Sequence, residues 1–146
     1  MVDCATTLLV DANILVRFMT NDHPVHSPAA REFIRRADAG EIKLEVPFSV
    51  VAETVFTLGR FYQIPKRDIS IRMLTLFTCP GIKLLAPSWT LQALEELGNS
   101  AISFGDACLA AVARLRDIPI LTFDEDFTTI PGITRCNPLE FNDGAV

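Results

Sequence analysis

The chain has 146 residues, 49% of them hydrophobic, and 13 Lys and Arg against 18 Asp and Glu give a net charge of −5. That length suits one domain able to bury roughly two thirds of its unfolded surface without staples, while the acidic balance argues against a strong global field for nucleic acid. No apolar run approaches the roughly 18 residues of a membrane span, and Met1-Val2-Asp3-Cys4 lacks the basic-then-apolar order of a signal peptide, so a cytoplasmic protein is expected.

Leu8, Leu9 and Val10 form a short apolar run without polar alternation, the pattern of a strand buried on both faces of a parallel sheet, and the run stops at Asp11. An acid at the carboxyl end of a strand is placed for chemistry, and equally for capping a helix that begins at Ala12. Asn13 to Met19 reads as a short helix, and Thr20 to Ser27 as a solvated polar loop holding His23 and His26. Ser27-Pro28 has the form of a capping serine followed by a first-turn proline. Ala30, Phe33, Ile34 and Ala37 then share one helical face, and Gly40 ends that helix.

Lys43 to Val46 is a second strand, closed by Pro47. From Phe48 to Tyr62 a helix is apolar around most of its circumference, with Glu53 set inside the apolar run. Either Glu53 lies on a solvated stripe with Thr57 and Arg60, or its carboxylate faces a cation or hydrogen-bonding partner. Phe56, Phe61 and Tyr62 make this end of the helix a candidate surface for a partner helix or a second subunit. Pro65 breaks the helix, and Lys66 to Thr78 restarts one.

Ile82 to Ala86 is a third strand, and Ser88 is an N-cap for a helix with Leu91, Leu94 and Leu97 on its inner face, ending at Gly98. Ser103 followed by Asp106 has capping-box spacing at the start of the next helix. Pro119 to Thr122 is a fourth strand, with Asp124, Glu125 and Asp126 at its carboxyl end, and a last short strand falls near Ile133 to Cys136. The tail from Asn142 is expected to fray. The whole succession predicts an α/β fold, a single domain over 1–146 with a central parallel sheet of about five strands flanked by helices on both faces.

In such a sheet Asp11 and Asp124 end two parallel strands and so share an edge, which the start of the helix at Asp106 and the helix carrying Glu53 can both reach. Two carboxylates about 5 Å apart repel by roughly 3 kcal/mol at an effective dielectric near 20, and a divalent cation offsets this. All-oxygen ligands without His or Cys select hard ions, hence Mg²⁺ or Mn²⁺. If four of the 18 carboxylates belong to a metal, 14 remain against 13 bases and the rest of the surface is near neutral. Cys4, Cys79, Cys108 and Cys136 are too widely spaced for a zinc site and are expected to be free buried thiols.

The segments Val10-Asp11-Ala12-Asn13-Ile14-Leu15, Val50-Val51-Ala52-Glu53, Phe104-Gly105-Asp106-Ala107-Cys108-Leu109-Ala110-Ala111 and Leu121-Thr122-Phe123-Asp124-Glu125-Asp126-Phe127 resemble the four acidic motifs of PIN domains. Within that family, length and layout are most similar to the VapC-type toxins of bacterial and archaeal toxin–antitoxin pairs. The resemblance implies a Mg²⁺-dependent endoribonuclease acting on RNA, a homodimer, and a cognate antitoxin that enters the active-site groove. By position, Asp11, Glu53 and Asp106 match the principal metal-site acids and Asn13 the small polar residue after the first. Asp124 matches the fourth acid, with Asp126 as the alternative. A phosphatase with Asp11 as nucleophile would want a second Asp where Asn13 stands. A PIN-fold RNA-binding or scaffold module, or a housekeeping RNA-processing nuclease without antitoxin, stays open beside the toxin.

Overall fold

Strand β1 (Thr7–Leu9) runs into helix α1 (Ala12–Thr20), then α2 (His26–Asp38), β2 (Lys43–Pro47), α3 (Phe48–Arg60), α4 (Lys66–Leu76) and β3 (Ile82–Leu85). Helices α5 (Thr90–Asn99) and α6 (Phe104–Arg116) follow, then β4 (Ile120–Leu121), a 3-10 turn (Glu125–Thr129) and β5 (Arg135–Cys136). This computed structural model describes residues 6–140, and the chain divides between Ser88 and Trp89 into two compact units. Cys4 and the tail from Asn142 lie outside the described residues. Every expected strand and helix is present, and the α/β class is as expected. The expected sheet of about five strands is instead one of three and one of two, each with parallel pairing.

In the first unit the strand order is β1-β2-β3, with Thr7 opposite Lys43 and Leu44 opposite Ile82. The core is apolar: Leu15, Ile42, Val46, Val51, Leu58 and Met73 are all fully buried. Thr54 is buried with them, its hydroxyl donating to the Val50 carbonyl at 2.7 Å, so the helix carries one satisfied polar group inward. Within the sheet of the first unit β1 pairs, among the described residues, with β2 alone, and Leu9 is 72% exposed. The expectation of burial on both faces therefore fails for β1 and holds for Leu44 and Val46 in the central strand.

Gly81 is where the chain has least choice. A Cβ there would meet the Ala37 carbonyl and lie 2.7 Å from the Ile42 oxygen, because the Gly81 carbonyl accepts the Leu44 N–H at 2.7 Å as β3 comes alongside β2. Gly40, at φ +76°, gives α2 its left-handed stop as its position in sequence suggests.

Helix α2 starts differently from the expectation. The cap is the His23 imidazole, whose Nδ1 accepts the N–H groups of Val25 at 3.2 Å and His26 at 2.9 Å. Ser27 is buried one position inside the helix, where its hydroxyl accepts the His23 N–H at 3.2 Å. The Ser27 N–H in turn donates to the His23 backbone carbonyl at 3.1 Å, and His23 stacks on His26 with ring centroids 3.9 Å apart. Ser88 likewise caps nothing: α5 begins at Thr90 with no side-chain cap.

In the second unit α5 buries Ala93, Leu94 and Leu97, and α6 buries Ala107, Ala110, Ala111 and Ala113. The alanine face lets the two helices approach closely. Arg114 of α6 donates to Glu96 of α5 at 2.7 Å and to the Pro131 carbonyl at 2.8 Å. Burial pushes the Glu96 carboxyl up, but hydrogen bonds from Arg114 and Ser100 and the guanidinium charge outweigh it and leave Glu96 below its ordinary value. Cys79, Cys108 and Cys136 are free and half-buried rather than buried, and burial raises the Cys108 thiol to about 11. Among the described residues no helix is long and apolar enough to cross a membrane.

Candidate active site

Asp11 follows the last residues of β1 and performs the helix-capping role that its position allows. Its Oδ1 accepts the Ala12 N–H at 2.7 Å, which starts α1. The Asn13 side-chain amide donates to Oδ2 at 3.3 Å, so a neighbour two residues on restrains the other oxygen. The residue is exposed, with the carboxylate at the carboxyl end of a parallel strand. Capping and strand-end placement are thus two properties of one side chain, and the second oxygen keeps lone pairs for a cation.

Glu53 lies mid-way along α3 on an exposed row with Ser49, Phe56 and Arg60, while Val51, Thr54, Val55 and Leu58 are buried. The exposed stripe with Arg60 is present, with Phe56 on it and Thr57 half-buried, and it leaves the Glu53 carboxylate open to water or to a cation. No hydrogen-bond partner among the described residues occupies the Glu53 carboxylate.

Asp106 is the third residue of α6, and its N–H donates to the Ser103 hydroxyl at 3.1 Å, the N-cap half of a capping box. A carboxylate in the first turn is favoured by the helix dipole. The Asp106 side chain is half-buried.

Asp124 repeats the local design of Asp11. It follows β4, and its Oδ1 accepts the Asp126 N–H at 2.8 Å to cap the 3-10 turn. Its own N–H donates to the Thr122 hydroxyl at 3.0 Å, and Arg135 Nη2 donates to the neighbouring Phe123 carbonyl at 3.0 Å. Asp126 sits inside the turn, and its carbonyl accepts from Thr129. Both strand-end aspartates therefore hold one oxygen against backbone and present the other. Thr122 and Arg135, which fix this strand end, were not singled out from sequence. A Thr two residues before an Asp is a recognisable turn signal, whereas Arg135 depends on the β4–β5 pairing and has none.

Asp11, Asn13 and Glu53 belong to the first unit; Asp106, Asp124 and Asp126 belong to the second. Among the described residues no group of three or more His, Cys, Asp or Glu forms a ready-made ion cluster. By donor chemistry the set fits a hard dication: every member offers oxygen, none offers nitrogen or sulfur, and Asp11, Glu53 and Asp124 are open to solvent.

Several solved structures are similar to this chain. VapC20 of Mycobacterium tuberculosis, a Sarcin-Ricin loop cleaving toxin, is 20% identical, with 91% of this chain and 100% of that one covered at a TM-score of 0.41. A toxin–antitoxin complex from Klebsiella pneumoniae is 17% identical, with 86% of this chain and 94% of that one covered at a TM-score of 0.31. Overlaps of that size carry no argument about activity. Among curated proteins none matches the chain. The sequence model of the PIN domain family matches residues 8–133, a span that takes in all four acidic motifs. The chain belongs to the PIN domain family.

Proposed function

We propose that this protein is a Mg²⁺- or Mn²⁺-dependent endoribonuclease, the toxin of a type II toxin–antitoxin pair acting in the cytoplasm. What supports the reading is PIN family membership with a carboxylate retained in every acidic motif. Asp11, Glu53, Asp106 and Asp124 would hold the metal, with Asp126 as the alternative fourth acid. When bound, the metal supplies a water of lowered pKa and neutralises charge developing on the scissile phosphate.

The chain's own residues do the positioning. Asp11 is held by the Ala12 amide and by Asn13, so its free lone pairs have a defined direction before any cation arrives. Asp124 is held in the same way by the turn that it caps. Asn13 is a positioning residue, and Asn13→Ala is expected to weaken metal affinity by roughly tenfold or more while leaving the fold intact. Length and motif layout resemble the VapC-type toxins, which favours a cognate antitoxin and a homodimer over a housekeeping nuclease.

The test is RNA cleavage by the purified chain free of any partner. With Mg²⁺ or Mn²⁺ present, cleavage is expected, and it is expected to vanish with EDTA and to fall more than about a hundredfold in Asp11→Asn. Cleavage that persists in EDTA, or is intact in Asp11→Asn, contradicts the proposal.

A further inference from the structure

Two aromatic side chains at the end of α3 stand out in the open. Phe56 is 58% and Phe61 71% exposed, their rings meeting edge to face with centroids 6.4 Å apart. The Arg60 guanidinium lies 5.9 Å from the centre of the Phe56 ring. The next residue, Tyr62, is turned the other way: its hydroxyl donates to Asp22 at 2.8 Å, which pins the end of the helix and leaves Phe61 facing water. A solvated surface helix does not need two neighbouring phenylalanines outside, so the pair has a use.

Charge narrows what that use is. Between Glu53 and Asp68 the chain contains Arg60, Lys66 and Arg67 and no carboxylate, in a molecule whose net charge is −5. Glu53, Phe56 and Arg60 recur every three or four residues on one exposed helical row, a rise of about 10 Å from first to last. One end of the row is thus a proposed metal ligand and the other is aromatic and cationic. Open aromatic faces beside arginines form the common platform for unpaired bases and their phosphates, and they need no strong field over the whole protein.

We infer that the exposed row of α3 from Glu53 to Phe61 is a docking platform for single-stranded RNA, with bases stacking on Phe56 and Phe61 and phosphates meeting Arg60. The inference rests on the ribonuclease reading and extends it: the substrate strand is unpaired where it crosses α3, and duplex RNA docks poorly. A partner helix would need a row of apolar anchors, whereas the other exposed positions around the two rings are Ser49, Glu53, Gly59, Arg60 and Gln63.

The experiment measures fluorescence anisotropy of a labelled uridine homopolymer and of a blunt RNA duplex of equal length, titrated with the full chain in EDTA so that no cleavage intervenes. The single strand is expected to bind more tightly than the duplex. The double variant Phe56→Leu with Phe61→Leu keeps apolar bulk and removes the π-faces; it is expected to lose roughly tenfold in single-strand affinity. Its mass by light scattering and its melting temperature are expected to match the wild type. Equal affinity of variant and wild type, or no single-strand binding by the wild type, overturns the platform. A variant whose mass halves while its RNA affinity holds also overturns it and makes this face a contact between copies. Cleavage of RNA by the wild type with Mg²⁺, assayed alongside, tells whether the nuclease reading has fallen too or the platform alone.

Discussion

Asp11 carries two loads that substitution can separate. Asparagine caps a helix about as well as aspartate, so Asp11→Asn keeps the bond to Ala12 and is expected to melt, in metal-free buffer, at or above the wild-type temperature. Asp11→Ala loses the cap and about 1 kcal/mol of stability. Calorimetric melting of both variants checks this, and a drop of several degrees in Asp11→Asn would make the residue structural first. Gly81→Ala is expected to cost about 1–3 kcal/mol or more, since its methyl has only the Ala37 and Ile42 backbone to displace. A melting temperature within a degree of wild type would contradict that close approach. Single residues were readable where local chemistry decides: Asp11 at a strand end, Ser103 as a cap, Gly40 as a stop. Ser27 does not cap α2 as its place before Pro28 suggests, because the capping atom is an imidazole nitrogen four residues earlier, and histidine is not a usual cap.

At the scale of elements, α2 carries a pH dependence. His23 Nδ1 accepts two backbone N–H groups, which a protonated imidazole cannot do. Burial first, then repulsion from His26 and Arg17, holds His23 below its ordinary value, against a smaller pull from Asp22. A depressed pKa in the folded state means that stability is full above the unfolded value, near 6.5, and is lost as pH falls from there toward the folded one. Thermal melts from pH 7.5 down to 5 are expected to show this loss in the wild type and less of it in His23→Asn, where an amide oxygen caps without titrating. Parallel profiles would contradict the imidazole cap. Asp22 adds a second, more acidic step: hydrogen bonds from Tyr62 and Thr20, with Arg17, hold its carboxyl well below the usual range. That contribution is present above about pH 4 and disappears as pH falls further, and Tyr62→Phe is expected to soften it. Element identities were legible because periodicity and breakers are local. The exposed side of α3 was not, since Phe56 and Phe61 count as apolar letters although the core takes only the face of Val51, Thr54, Val55 and Leu58.

For the whole molecule, the α/β succession followed from order and composition, while the pairing of strands did not. Strands as short as Ile120–Leu121 and Arg135–Cys136 carry too few residues to signal their neighbours, and the pairing of β1 with β2 joins segments separated by two helices. Four carboxylates distant in sequence were picked out by motif and spacing, and the local restraints on two of them, Asn13 on Asp11 and the turn on Asp124, add physical reason to that choice. A negative net charge would be compatible with the proposed RNA substrate if the binding groups are local, as the bases between Glu53 and Asp68 are, and a bound cation would neutralise part of the acid. Binding of Mn²⁺ by titration calorimetry, without RNA, tests most directly that these acids serve one dication. The wild type is expected to bind with an affinity that Asp11→Asn and Asp106→Asn each lower by roughly tenfold or more. Unchanged affinity in Asp106→Asn, with Asp11→Asn impaired, would contradict it.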